Sequence, residues 1–202
     1  MSMAAHNSFI HYVRLIYTGK NISFFLITSL VLCIFQLIQF FITDLSFSRI
    51  AISDYEIWRL ISGGLVHANG LHLLLNIIGL FCLLMLYELQ IKVIIWCFVS
   101  VSLVFGINAI LYLFLPSTIF YFGFSGALHG LYVWYSIQEW RRKHSWYPAL
   151  VMLLLIAKLS LDVLLTDNFS SHLIGMRVHW QAHWIGAFLG GFLSFIPKNK
   201  TA

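Results

Sequence analysis

The sequence predicts an all-α membrane protein, a single bundle of six transmembrane helices with both termini cytoplasmic. Three observations carry that expectation. Of 202 residues, 60% are hydrophobic and only 9% are charged, against about 25% charged in an ordinary soluble domain. Six apolar segments can be drawn, at about 22–42, 67–89, 91–114, 121–138, 146–165 and 179–197, and about 20 apolar residues suffice to cross a hydrocarbon layer. The basic residues gather at alternate segment ends, as a charge-biased topology requires.

In chain order, Arg14 and Lys20 precede the apolar run from Ile22 to Ile42. That run is too long for a signal-peptide core and lacks a small-residue cleavage site, so no cleavable leader is expected. A loop at about 43–66 follows, long for a compact bundle and mixed in character, with Phe47, Ile50, Ile52, Tyr55, Ile57 and Trp58 among polar residues. Loops of that length are often functional or partly embedded. Its Trp58-Arg59 pair suits an interface, the ring at headgroup depth and the guanidinium reaching phosphates or backbone carbonyls, and a plain interfacial anchor explains it equally. All six segments should be helical, because a spanning backbone must satisfy its own hydrogen bonds. The fourth is the weakest by hydropathy, since it holds three glycines, two serines and a histidine.

Arg14, Lys20, Lys92, Arg141, Arg142, Lys143, Lys198 and Lys200 fall on one side. Arg49, Arg59 and Arg177 fall on the other, with Asp44, Asp54, Glu56 and Asp167. The Lys/Arg excess marks the cytoplasmic side. Segments two, four and six then all run from outside to inside. The division is a cytoplasmic N-terminal segment at 1–21, one helical domain at 22–197 and a cytoplasmic tail at 198–202. The net charge of +5 needs no nucleic acid, since lipid headgroups and topology account for basic segment ends. Cys33, Cys82 and Cys97 all sit in apolar runs, and an odd count without loop spacing gives no disulfide framework.

The polar residues of three parallel segments meet at one depth. Ser125 lies thirteen residues from Gln138 near the inner end of segment four, about 20 Å along a helix. His183 lies fourteen residues from Pro197, about 21 Å. Asn76 lies twelve residues from Glu88, with His72 one turn higher, about 18 Å from the inner end. Against about 30 Å of hydrocarbon, all sit roughly 10 Å below the outer surface. Gly126 and Gly130 are spaced i, i+4, as are Gly186 and Gly190. Such faces let membrane helices approach closely, which would bring Ser125 within reach of His183.

A serine needs an adjacent base to act as a nucleophile, and a histidine can take its proton and return it to a leaving group. No carboxylate but Asp162 sits near this layer, so the expectation is a Ser125–His183 dyad rather than a triad. Lys158 and Asp162 are i, i+4. They read as a mutually neutralising structural pair, with contact between Asp162 and a substrate as the other reading. His72 and Asn76 share a helix face and can donate to a developing oxyanion, usually the largest single catalytic effect. Gly123 permits an unusual turn that would add a backbone N–H at the start of the helix.

At these residues the chain resembles the rhomboid intramembrane serine proteases. The family's Gly-x-Ser-Gly motif stands as Gly123-Phe124-Ser125-Gly126. Its Ala-His-x-x-Gly-x-x-x-Gly motif runs from Ala182 and His183 to Gly186 and Gly190. Its paired histidines and asparagine stand as His67, His72 and Asn76, and its Trp-Arg as Trp58-Arg59. The resemblance spans about residues 22–197. It implies a proteolytic site opened to water from the outer side, transmembrane protein substrates within the lipid bilayer, and no metal or cofactor. Ser125 would attack, His183 would be base and then acid, and His72, Asn76 and the Ser125 N–H would hold the oxyanion. Where many rhomboids carry an aromatic residue four positions after the serine, this chain has His129. Ser-Gly-x-x-His-Gly and the short tails resemble the rhombosortase branch, which implies substrates with C-terminal Gly-Gly-containing anchors and a bacterial inner membrane with the site on its periplasmic side. His129 either tunes the His183 ring or replaces tyrosine in packing. His67 is expected to order the outer loop, while His172 and His179 carry no clear signal.

Two other classes compete. A haem or metal protein would use His67, His72, His129 and His183, but it leaves Gly-Phe-Ser-Gly unexplained and lacks a metal-ligand motif. An inactive rhomboid-like protein that binds membrane helices would have no need of both Ser125 and His183.

Overall fold

The structure, a computed structural model, describes residues 19–87, 91–165, 169–175 and 178–195. Arg14, Glu88, Asp167, Arg177, Pro197, Lys198 and Lys200, used above for topology and depth, lie outside the described residues, as do most of the two terminal segments.

Each of the six drawn segments holds a helix. They are α1 (Gly19–Phe41), α4 (Gly70–Leu86), α5 (Val93–Phe114), α6 (Ser125–Lys143), α7 (Tyr147–Leu164) and α9 (Trp180–Leu193). Shorter helices occupy the connections: α2 (Arg49–Ser53), α3 (Arg59–Ser62) and α8 (Phe169–Ile174). By length and composition, α1, α5 and α7 are each apolar enough to cross a membrane, and α4 is a shorter apolar helix. The weak hydropathy of α6 has a structural cause. It packs against α4, α5, α7 and α9 at once, so its Gly126, Ala127, Gly130, Leu131 and Trp134 face protein on every side. The outer helices instead present large apolar side chains outward, such as Leu26, Leu30 and Phe40 on α1 and Leu153 and Leu154 on α7, as a lipid-facing surface requires.

The fourth segment is shifted from its expected bounds. Tyr121, drawn as the start of the fourth segment, lies instead in strand β2 (Phe120–Tyr121). The strand pairs antiparallel with β1 (Phe47–Ser48), Phe47 opposite Tyr121 and Ser48 opposite Phe120. At the other end, α6 continues past its apolar stretch to Lys143. Buried Glu139 pairs there with Arg142 at 2.6 Å and Lys143 at 3.0 Å, charge pairs at helical spacing.

The long first loop is a folded element. Arg49 donates from its guanidinium to the carbonyls of Leu111, Tyr112, Leu115 and Thr118 at 2.6–3.0 Å. It thereby caps the C-terminal end of α5, whose last carbonyls have no intrahelical partner. Arg59 is buried and turns inward, to Glu56 at 2.6 Å and to the Ser46 carbonyl at 2.8 Å. Its neighbour Trp58 is exposed. This guanidinium thus reaches the carboxylates of Glu56 and Asp44 and one backbone carbonyl, within the loop itself. Asn21 of α1 does similar work at the opposite face, donating to the carbonyls of Leu84 and Tyr87 at the end of α4.

Candidate active site

Ser125 is the first residue of α6, and the turn before it is held from several directions. Gly123 has φ +110°, a conformation that glycine adopts without a steric penalty. A Cβ at this position would lie 2.7 Å from Cε1 of His72, so the ring also needs the missing side chain. The Tyr121 hydroxyl donates to the Gly123 carbonyl at 2.9 Å. The Phe124 N–H donates to Nε2 of His67 at 3.4 Å, while the His67 N–H donates to Gln36 of α1 at 2.7 Å.

His183 is brought to Ser125 on α9 through the glycine faces. A Cβ on Gly130 would lie 2.6 Å from the Gly186 carbonyl oxygen, and one on Gly186 or Gly190 would overlap the backbone of Gly126 or Gly130. With backbones that close, Ser125 Oγ lies 2.9 Å from His183 Nε2. His183 is itself buried at 5% exposure. On its other edge, Nδ1 lies 3.0 Å from Oδ2 of Asp162 on α7. The same oxygen accepts from Lys158 Nζ at 2.5 Å, and Nζ lies 3.2 Å from His183 Nδ1. The expected Lys158–Asp162 ion pair thus exists, but it sits against the His183 imidazole instead of standing apart from it.

His129, one turn along α6, stacks on the His183 ring with centroids 4.2 Å apart and planes 18° from parallel. Its Nδ1 lies 2.6 Å from the Ser125 carbonyl oxygen. That bond to the i−4 carbonyl holds the ring flat against His183. Ser125, His129, His183 and Lys158 line a cavity of about 290 Å³ together with His72, Asn76, Tyr121 and His179. His72 and Asn76 form one wall. Asn76 spends one amide hydrogen on the His72 carbonyl at 2.8 Å and keeps a second, while its Oδ1 and the His72 Nδ1 are buried without a protein partner. The cavity is polar on the side of Ser125 and His183, and Phe120, Phe122, Leu75, Leu128 and Ile174 give it apolar walls.

The rhomboid domain family matches residues 54–199. The chain belongs to the rhomboid family. Comparison with curated proteins and with solved structures gave no match. Members of the family are typically intramembrane serine proteases, and this rhomboid is an integral membrane protein. The match spans every residue of the cavity described above and begins after Asp44, Ser46 and Arg49 of the first loop.

Of three further residues at the rhomboid's site, Tyr121 and His179 carried no functional assignment in the sequence, and Asp162 was read as the partner of Lys158 or as a substrate contact. The depth of Asp162 is legible in the sequence, but its bond to His183 is not. The residue lies fifteen positions from Tyr147 at the start of α7, about 23 Å, which is the layer of Ser125 and His183. Tyr121 was hidden inside an apolar run. His179 hydrogen-bonds Thr118 at 3.0 Å and meets the Tyr121 ring edge-on, contacts between two loops that no local spacing encodes. The histidines fall into two ring pairs, His67 with His72 and His129 with His183. Among the described residues, no three His, Cys, Asp or Glu side chains gather as a metal-holding group.

Proposed function

We propose that this rhomboid is an intramembrane serine endopeptidase with Ser125 as nucleophile and His183 as general base. The observation that carries the proposal is the 2.9 Å contact between Ser125 Oγ and His183 Nε2, on the wall of a cavity of about 290 Å³. Ser125 Oγ bonds to the scissile carbonyl carbon as its proton passes to His183 Nε2. The oxyanion is held by the Ser125 N–H at the open end of α6, with donors from His72 and Asn76. Collapse breaks the C–N bond, and His183 returns the proton to the leaving amine. A water then repeats the sequence on the acyl-enzyme.

The helices α1, α4, α5, α6, α7 and α9 serve as six spans with both ends cytoplasmic, and the cavity opens toward the periplasmic side of a bacterial inner membrane. His129 in place of an aromatic residue supports assignment to the rhombosortase branch, with substrates anchored by C-terminal Gly-Gly-containing segments. Expression beside such anchored proteins tests this. Cleavage within or next to the Gly-Gly segment, lost in Ser125→Ala and His183→Ala, is the expected result. Intact substrate in every case, with the protein correctly inserted, contradicts it.

A further inference from the structure

We propose that Asp162 is a positioning residue for His183, making the site a triad in which Lys158 balances the charge of the third member. The proposal rests on Ser125 and His183 acting as nucleophile and base.

Three atoms converge on one another. Oδ2 of Asp162 lies 2.5 Å from Lys158 Nζ and 3.0 Å from His183 Nδ1, and the two nitrogens are 3.2 Å apart. An ammonium only donates and a carboxylate only accepts. Both nitrogens therefore point hydrogens at the shared oxygen, and their mutual approach follows from having a common acceptor. That arrangement requires the proton of the neutral imidazole on Nδ1. Nε2 is left with its lone pair toward Ser125 Oγ, the tautomer in which it can accept the serine proton. The opposite tautomer would leave Nδ1 accepting from Lys158 and Nε2–H facing the hydroxyl, which disables the base.

The roles of the pair divide accordingly. A carboxylate 7% exposed between membrane helices is costly unless compensated. Lys158 supplies the compensation one helical turn away, with its side chain 40% exposed on the cavity side. Besides Asp162, His183 faces Ser125 and His129 from α6 and Lys158 from α7. Asp162 is thus the acceptor at Nδ1, and when His183 takes the serine proton it becomes the anion beside a new imidazolium.

The test uses full-length protein in detergent, with a fluorophosphonate probe and nitrogen-15 NMR of the histidine rings. In Asp162→Asn the labelling rate of Ser125 is expected to fall by at least about 100-fold, given the roughly 10⁴-fold effect of removing the carboxylate from a serine-protease triad. Asp162→Asn leaves Lys158 unpaired and can misfold for that reason, so Lys158→Met/Asp162→Asn is the second variant, with both charges gone. Slow labelling in the folded double variant, and an Nδ1–H signal in wild type that gives way to mixed tautomers, support the triad. A double variant that labels like wild type makes Asp162 a counter-ion only and overturns the proposal. If wild-type Ser125 does not label at all, the protease assignment fails by itself. The tautomer signal then decides the Asp162 placement, and an His183 protonated on Nε2 in wild type overturns it.

Discussion

At the scale of single residues, His129 shows how one side chain sets the surroundings of the His183 ring. Its ring lies flat against His183 and is pinned by the Ser125 carbonyl. Two properties are therefore separable, the stacked surface and the pinning bond. His129→Tyr keeps an aromatic face and is expected to hold probe labelling within about tenfold of wild type, since one neutral hydrogen bond contributes about 1 kcal/mol. His129→Ala removes both and is expected to lose more than His129→Tyr. Equal losses in the two variants would show that stacking does not matter. Ser125, His183, His72 and Asn76 were readable in the sequence because each is a polar residue at a computable depth in an apolar helix. Asp162 was computable by the same arithmetic but was paired with the neighbour it meets along its own helix. Contacts along one helix are visible in sequence spacing, whereas the bond from α7 to α9 depends on how two helices pack.

At the scale of elements, the contact of α6 with α9 decides whether Ser125 and His183 meet. Gly190→Val would drive a branched side chain into the backbone of Gly130, far from the chemistry. Overpacking of that kind is expected to destabilise by about 3 kcal/mol and to lower labelling of Ser125 even where the protein remains inserted. Unchanged thermal stability and labelling would mean that the two helices are not held this closely. The first loop provides a second check. Burial raises the Asp44 carboxyl, but hydrogen bonds from the Ser46 backbone and hydroxyl and the Arg59 guanidinium outweigh it and hold the group below its ordinary value. A carboxyl lowered on folding adds stability that is present above its unfolded value and lost as pH falls through its folded value. The gap in Tm between wild type and Asp44→Asn should therefore be constant from neutral pH to about pH 5 and shrink below about pH 4. A gap independent of pH would remove Asp44 from the account of the loop. Neither the capping of α5 by Arg49 nor the β1–β2 pairing was visible beforehand. Both join residues about 60 or more apart, and local composition around Arg49 reads only as a loop of mixed apolar and polar residues.

At the scale of the whole molecule, one largely buried helix is surrounded by more apolar ones. The low hydropathy of α6, a weakness when segments are counted, follows from its central place: a helix covered by neighbouring helices over most of its length can carry glycines, Ser125, His129 and Glu139. The central claim is that this helix delivers a reactive serine to a histidine inside a cavity. The most direct measurement is peptide mass spectrometry of purified protein after reaction with a fluorophosphonate. The account predicts one adduct, on Ser125, absent in Ser125→Ala and suppressed in His183→Ala. No adduct on Ser125 in folded wild-type protein, or an adduct formed equally well in His183→Ala, would contradict it.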